Sequence, residues 1–488
     1  VSSIIPNDFV VPGTAHQFNF LRATGSLANV PLTVAIVATK SAAGTGVVGT
    51  VYDAPDAATT DALSGQSSEG AIMARKAYEC AALFGAGPRV KLTLVAEPSG
   101  GVANVKTLTF VGTATSDGNA IVRIAGRTFI VGIQSGQTQN TIAANASATF
   151  NGKAEQLPVI VTVAANVVTF THPTKGVNGK DVVITITQQV AGVVGTVANT
   201  VVGSGAADLQ PALDALAPLR YDGIAMANHV AADITEIGAD IATRWAVSSK
   251  NWGWYFMFEP GTIGTATSLA AAANALQVLI GSFEGCLNAP GEGAVAMAML
   301  VFSRERANAG YDGAVVPLYP PNESVLYTPA EQNVAIHAGL TAFVGLIDST
   351  GAVTDARAKC IQMVTTKTTT SGQPDDKNRD IAVARTGVSL AIQLDVAAGI
   401  QLGAETNPDG INQADSVDLI RDLASAIMRA EARAKPPVLN PAFVEADIAA
   451  IAITPDSNVL GRNNVKLPYH PETPLHQIGW EHSVIIGA

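Results

Sequence analysis

Charged side chains are scarce in this sequence. Only 14% of its 488 residues are Asp, Glu, Lys or Arg, against roughly 25% in an average soluble protein. Beside 48% hydrophobic residues, so few charges exclude a disordered polyampholyte. They also imply that much of the surface is covered by something other than water. A basic excess is missing too: the formal net charge is −11. With no cationic surplus to displace phosphate counterions, a general nucleic-acid binder is excluded. Cysteine is rare and odd in number: Cys80, Cys286 and Cys360 cannot close an intrachain disulfide framework, and none lies in a C-x-x-C pair of the kind zinc needs. Long apolar runs are absent. Leu269–Leu279, interrupted by Asn274, and Val295–Phe302 are too short to cross a bilayer. Val1 to Phe20 has neither a basic start nor an apolar h-region, so no signal peptide is expected, and a soluble chain made in the cytoplasm is.

What is present is enough apolar material for about three domains at this length. Residues 1–30 read as an extended arm, because Ile5-Pro6, Val11-Pro12 and Val30-Pro31 disfavour helix before each proline. Leu32–Ala38 is a continuous β-rich run of the type covered on both faces. Ser67–Leu83 reads as a helix, with Met73, Ala77, Cys80, Ala81 and Phe84 on one face, and Val90–Val95 as the next strand. Strand, helix, strand opens an α/β layer.

The character changes at Pro98-Ser99-Gly100-Gly101. From there to Gly205 the chain is rich in Thr, Val, Asn and Gly. Hairpin signals sit at Ala125-Gly126 and Ala165-Asn166, a helix is expected over Thr138–Phe150, and Asp181–Thr187 alternates as a strand. Because α/β patterning resumes afterwards, residues 99–205 read as an inserted β-rich domain. It splits a core of residues 31–98 and 206–467. In the second part, Arg220–Ala227 and Trp252–Phe258 read as strands, Asp233–Ala246 and Ala266–Ile280 as helices, and Ala294–Phe302 as a buried run. Thr328-Pro329-Ala330-Glu331 is a capping box, and Arg357–Thr369 a long strand. Ile420, Leu423, Ala424, Ile427 and Met428 form a helical stripe, with acids early and bases late. The expected fold is mixed α/β, with a discontinuous core, the inserted domain and two extended arms.

The search for chemistry returns little. Gly44-Thr45-Gly46-Val47-Val48-Gly49 matches G-x-G-x-x-G, but an extended stretch ending in Pro55 follows where a dinucleotide site needs a helix N-terminus. No serine elbow or P-loop occurs, the histidines do not cluster as metal ligands, and no cofactor is expected. The aromatic run Trp252–Phe258 suits a sugar platform, but a core strand accounts for it more simply.

The ends ask for an explanation. Residues 468–488 are extended around His470-Pro471 and Thr473-Pro474, and Ile478, Trp480, His482, Val484 and Ile486 then alternate along one strand face. The N-terminal arm carries Phe9, Val11, Phe18 and Phe20. Apolar strands of this kind make sense if each completes a neighbour's sheet. Exchange at both ends gives heterologous contacts, hence rings or helical polymers.

Taken in order, these features resemble the contractile tail sheath proteins of phages with Mu-like tails, across nearly the whole chain. The resemblance is carried by Ile5-Pro6 with Val11-Pro12-Gly13, by the run from Gly118 to Gly136, and by Leu157-Pro158-Val159. It continues in the segment from Thr174 to Asp181, in Leu219–Ile224, in Arg244-Trp245, in Thr328–Thr341 with Glu331, Asn333, His337 and Gly339, and in Val484-Ile485-Ile486. Lys180 departs from the family's pattern, where Asn is usual. The resemblance implies a structural subunit and no enzyme: stacked hexameric rings around a tail tube, joined by the arms, with baseplate and terminator proteins at the ends and no insertion into a membrane. It places the chain in the virion. A phage-like bacterial injection device fits equally, and a surface carbohydrate-binding protein or an enzyme is the alternative from another class. Asp418, Arg421, Asp422 and Arg429 are candidates to face the tube, on a helix that also reads as an ordinary surface helix. Cys286 and Cys360 are candidates for cross-links between subunits on an oxidising virion surface, set against the usual burial of free cysteine.

Overall fold

The computed structural model of the chain describes residues 32–471, apart from 86, 247–248, 305, 322–326, 348–352, 371–372, 375–378, 403–412, 435 and 456–462. Both expected arms therefore lie almost wholly outside the described residues. Contacts divide the chain into one unit of Leu32–Arg304 with Tyr311–Ile381, and another to which Glu305–Gly310 and the residues from Ala382 onward belong.

The first unit is built on a nine-stranded sheet. Its first strand, β1 (Thr33–Thr39), the predicted apolar run, lies inside the sheet, flanked in parallel by β3 (Arg89–Val95) and β11 (Gly223–Met226). Beyond β11 follow β12 (Trp254–Glu259), β13 (Val278–Ser282) and β15 (Leu340–Ile347), all parallel. Antiparallel strands close both edges: β2 (Val51–Asp53) beside β3, and β16 (Val353–Gln362) then β14 (Val315–Val316) beyond β15. Central strands of such a sheet are buried on both faces, so their side chains need not alternate. All six residues of β12 are buried, which makes the aromatic run a core strand rather than a sugar platform.

On one face, Ala35, Val37, Ile224, Met226, Tyr255 and Ile280 pack with Leu213 of α4 (Gln210–Leu216), Ile237 of α5 (Ala231–Arg244), Leu269 of α6 (Ile263–Ala273) and Ala335 of α8 (Pro329–His337). On the other lie α2 (Glu69–Phe84) and α7 (Pro290–Phe302). α1 (Ala57–Ser64) precedes α2. Every residue of α7 is buried, as expected of a helix apolar all round. Its axis comes close to the sheet because two glycines allow it. A Cβ on Gly293 would lie 2.2 Å from the Phe258 ring, and one on Gly281 2.3 Å from the Met297 sulfur.

The expectation of one helix over Ala266–Ile280 is corrected. Asn274 is in the left-handed conformation and caps α6, and its side chain holds Thr368 and Thr369. The chain then turns into β13. The Asn that reads as an interruption in the apolar run is the stop signal. The long strand expected over Arg357–Thr369 likewise ends at Gln362.

Between β3 and β11 the chain makes two further sheets. One orders β10 (Val193–Val201), β4 (Ala103–Gly112), β8 (Val167–Lys175) and β7 (Ile160–Ala164); the other, β6 (Arg127–Ile133), β5 (Gly118–Ile124) and β9 (Ile184–Gln188). α3 (Gln139–Asn151), capped by Thr138, joins them in a core where Phe129, Phe150 and Phe170 stack edge to face or tilted. The two Ala-led hairpin turns form where predicted. Ala125 and Gly126 both have positive φ, as a two-residue type I′ turn requires.

The second unit contains α9 (Ile381–Leu402), α10 (Gln413–Arg433), α11 (Val444–Ala449) and a hairpin of Ala452–Pro455 with Asn463–Lys466. Leu423, Ala424, Ile427 and Met428, the predicted stripe, pack on Leu390, Leu439, Val444 and Ile451.

Candidate functional site

Three side chains of the first unit converge between α2, α7 and the β5–β6 turn. Glu292 stands in the first turn of α7, where one carboxylate oxygen accepts from Ala289 N at 3.1 Å. Its other oxygen is 3.1 Å from Arg127 Nη2 and 3.8 Å from Lys76 Nζ. Lys76 and Glu292 are fully buried and Arg127 nearly so. Lys76 also donates to Pro317 O at 2.8 Å and to Glu79 at 2.7 Å, and lies 5.4 Å over the Tyr319 ring. Tyr319 in turn presses on the hairpin turn, where a Cβ on Gly126 would lie 2.4 Å from its ring. Burial disfavours each charge, but the partners outweigh it. Glu292 and Glu79 raise the Lys76 ammonium, Glu292 raises the Arg127 guanidinium, and the two cations hold Glu292 below the ordinary carboxylate value. The β-rich segment is thus pinned to the α/β sheet by a dry ionic joint between residues 165 apart in sequence.

A second joint lies nearby. His229, in the loop after β11, places Nε2 3.1 Å from Asp181 Oδ2 and Nδ1 3.2 Å from Ala227 O. Asn228 links Asn178 on one side to Asp233 on the other, each at 3.4 Å, and Asp233 accepts from Val230 N at 2.9 Å. Burial pushes the Asp233 carboxyl up. Gly179 is needed for this approach: a Cβ there would lie 2.7 Å from the His172 ring. Both joints occupy the C-terminal end of the sheet around β1, the position where open α/β sheets bind ligands. In this chain protein side chains fill it: the cavity left there, lined by Met73, His172, Asn178 and Glu292 among others, is about 20 Å³, barely one water.

The G-x-G-x-x-G loop is packed rather than open. Gly44 and Gly46 lie against the end of α1, where a Cβ would meet Leu63 O and Ser64 within 3.0 Å, and the chain runs on into β2. Among the described residues, no group of three or more His, Cys, Asp or Glu could hold a metal ion, and no helix is long and apolar enough to cross a membrane.

The residues singled out in the sequence fare differently. Phe9, Val11, Phe18 and Phe20 at one end, and Ile478, Trp480, His482, Val484 and Ile486 at the other, lie outside the described residues. The expected start of the C-terminal arm is tied to its own unit. His470 N and Nδ1 contact Asp447 at 2.8–3.0 Å, its ring stacks on Phe443, and Pro471 bridges to Leu439. On α10, Arg421 and Asp422 are exposed, while Arg429 forms a bidentate pair with Glu445 at 2.7 and 2.8 Å. Nothing is described of the Asp418 side chain. The expectation that Cys286 and Cys360 are exposed is corrected. Both are free and fully buried, with Cys286 directed at Tyr319 O. Burial pushes the Cys286 thiol up to about 12, and Cys360 higher still, so neither offers a thiolate to a neighbouring subunit.

Sequence reasoning missed Lys76, Arg127 and Glu292. The available signal was their isolation: Lys76 inside the buried stripe of α2, and Glu292 as the sole charge of an otherwise apolar helix. A charge in such a setting demands a partner.

No protein-family model matches the chain. In sequence it is 24% identical over 351 residues to the Mu-like prophage FluMu tail sheath protein of Haemophilus influenzae, covering 70% of each chain. Its fold matches the sheath tail protein of Desulfitobacterium hafniense at a TM-score of 0.50, with 13% identity over 95% of this chain and 96% of that one. The sheath tail protein of Listeria innocua matches at 0.50 as well, with 13% identity over 93% and 95%. In sequence and in fold, this chain is similar to tail sheath proteins. The chemistry of these ionic joints is that of fixing the β-rich segment to the nine-stranded sheet.

Proposed function

We propose that the chain polymerises as stacked hexameric rings around a tail tube, and that a change of ring packing drives the tube through a host envelope. The observation that carries this reading is the sequence likeness to the FluMu sheath protein along 351 residues. In this reading, residues 99–205 are a domain inserted into the core and turned outward. Residues 1–30 and the stretch beyond Pro471 are arms that add strands to neighbouring copies, with Phe9, Val11, Phe18 and Phe20 at one end and Ile478, Trp480, His482, Val484 and Ile486 at the other. Backbone hydrogen bonds supply the adhesion and alternate side chains the specificity. The polar face of α10, with Asp418, Arg421, Asp422 and Arg429, meets the tube, and baseplate and terminator proteins hold the ends of the stack. Work comes from the difference between two packings. A bias of about a few kcal/mol per subunit suffices when summed along a tail, and no nucleotide is required.

Negative-stain microscopy of the purified full chain tests this. Tubes or stacked rings are expected. Discrete particles at all concentrations would contradict polymerisation and favour a binding protein.

A further inference from the structure

We propose that His229 and Asp181 form a proton-gated clasp fastening the β-rich segment to the end of the nine-stranded sheet. The geometry makes the case. A neutral imidazole has one donor and one acceptor nitrogen, yet both ring nitrogens of His229 face acceptors, Ala227 O at 3.2 Å and the Asp181 carboxylate at 3.1 Å. Both contacts are hydrogen bonds only when the ring carries two protons. His229 is buried, so its positive charge is balanced by protein groups alone. Asp181 supplies most of that balance from the β-rich side. Glu259 of β12 adds to it, Asp233 of α5 interacts with His229 and with Glu69 of α2, and Lys106 of β4, which donates to Val182 O at 2.6 Å, interacts with Asp181.

Burial disfavours the imidazolium, but Asp181, Glu259 and the Ala227 carbonyl together raise the group above its ordinary value. The sign follows. A histidine raised on folding contributes fully below its unfolded value of about 6.5 and loses that contribution as pH rises through the higher folded value. Alkalinity therefore opens this clasp. The Arg127–Glu292 joint, whose groups are shifted further into their charged forms, stays closed over that range. The segment from Thr174 to Asp181, which stands out in the sequence without an evident role, acquires one. Asp181 is the striker of the clasp, and Gly179 lets it reach His229.

Two measurements on the full chain test the proposal. The first is the ¹⁵N spectrum of labelled histidine near pH 6, below the ordinary value, assigned by comparison with His229→Gln. A doubly protonated His229 is expected, and a neutral tautomer would overturn the clasp. The second is hydrogen-exchange protection, corrected for intrinsic rates, in peptides covering 176–183 and 228–233. From about pH 6 to about pH 9, protection is expected to fall roughly tenfold in the wild-type chain. In Asp181→Asn, whose altered side chain is partly exposed and isosteric, it is expected to be low and flat. Unchanged protection in the wild type, or the same pH response in Asp181→Asn, would overturn the proposal.

Discussion

Replacing Glu292 by Gln is expected to destabilise the unit of residues 32–304 and 311–381 by about 3–5 kcal/mol, the usual cost of removing one partner from a buried ion pair. Gln keeps the volume and the hydrogen bond to Ala289 N, so neither a cavity nor a lost helix cap accounts for the change. What disappears is the sole fully buried anion between two cations. Arg127 and Lys76 are then left facing each other in a dry joint, with only the half-exposed Glu79 to offset Lys76. The measurement is the urea midpoint of that unit, at an m-value unchanged from the parent. Glu79→Gln is the control: its carboxylate is 45% exposed, and screening by water leaves it worth little. Equal midpoints for Glu292→Gln and the parent chain would show that the joint carries no mechanical load.

Removing residues 474–488 is expected to abolish polymer growth while leaving the circular dichroism and the unfolding midpoint of the chain unchanged. The reason lies in the role proposed for that stretch, a strand lent to a neighbouring copy. Up to Pro471 the second unit has ties of its own: Leu439 bridges Pro471, and Asp447 holds His470. A strand added to a neighbour's sheet contributes several backbone hydrogen bonds, each worth about 0.5–1.5 kcal/mol net. It also buries the apolar teeth Trp480, Val484 and Ile486. Multiplied over every contact of a ring stack, that loss separates tubes from monomers, and sedimentation velocity distinguishes the two. A truncated chain that still forms tubes would contradict strand exchange at this end.

Local signals in the sequence translated well into local structure. Thr138 and Thr328 cap the helices that follow them, the latter through a complete capping box with Glu331. Ala125-Gly126 makes its hairpin, and the apolar run from Leu32 becomes the inner strand β1. Periodicity failed where burial is total. α7, buried on every side, has no stripe to read, so Ala294–Phe302 was legible as buried but not as helix. The segment over α6 and β13 reads as one helix because its Ala-rich first half has strong helix propensity, while the left-handed Asn274 that divides it is a single residue. The helix α9 was not legible at all. Of the site, only the Thr174–Asp181 segment could be singled out. Which side chains it meets depends on a contact between a 3₁₀ turn and a loop 48 residues away. The buried thiols teach the same lesson: Cys360 shares the buried face of β16 with Ala358, while Arg357 and Lys359 on the other face are exposed, so the alternation was there and its inner face was assigned the wrong way round.

The central claim is that copies of this chain lend their ends to one another. An electron-microscopic reconstruction of the assembled tubes tests it most directly, by tracing residues 1–31 and 472–488. The account predicts that each end leaves its own subunit and pairs as a strand with an adjacent one. Ends folded back on their own subunit, with neighbouring subunits touching only through their cores, would contradict it.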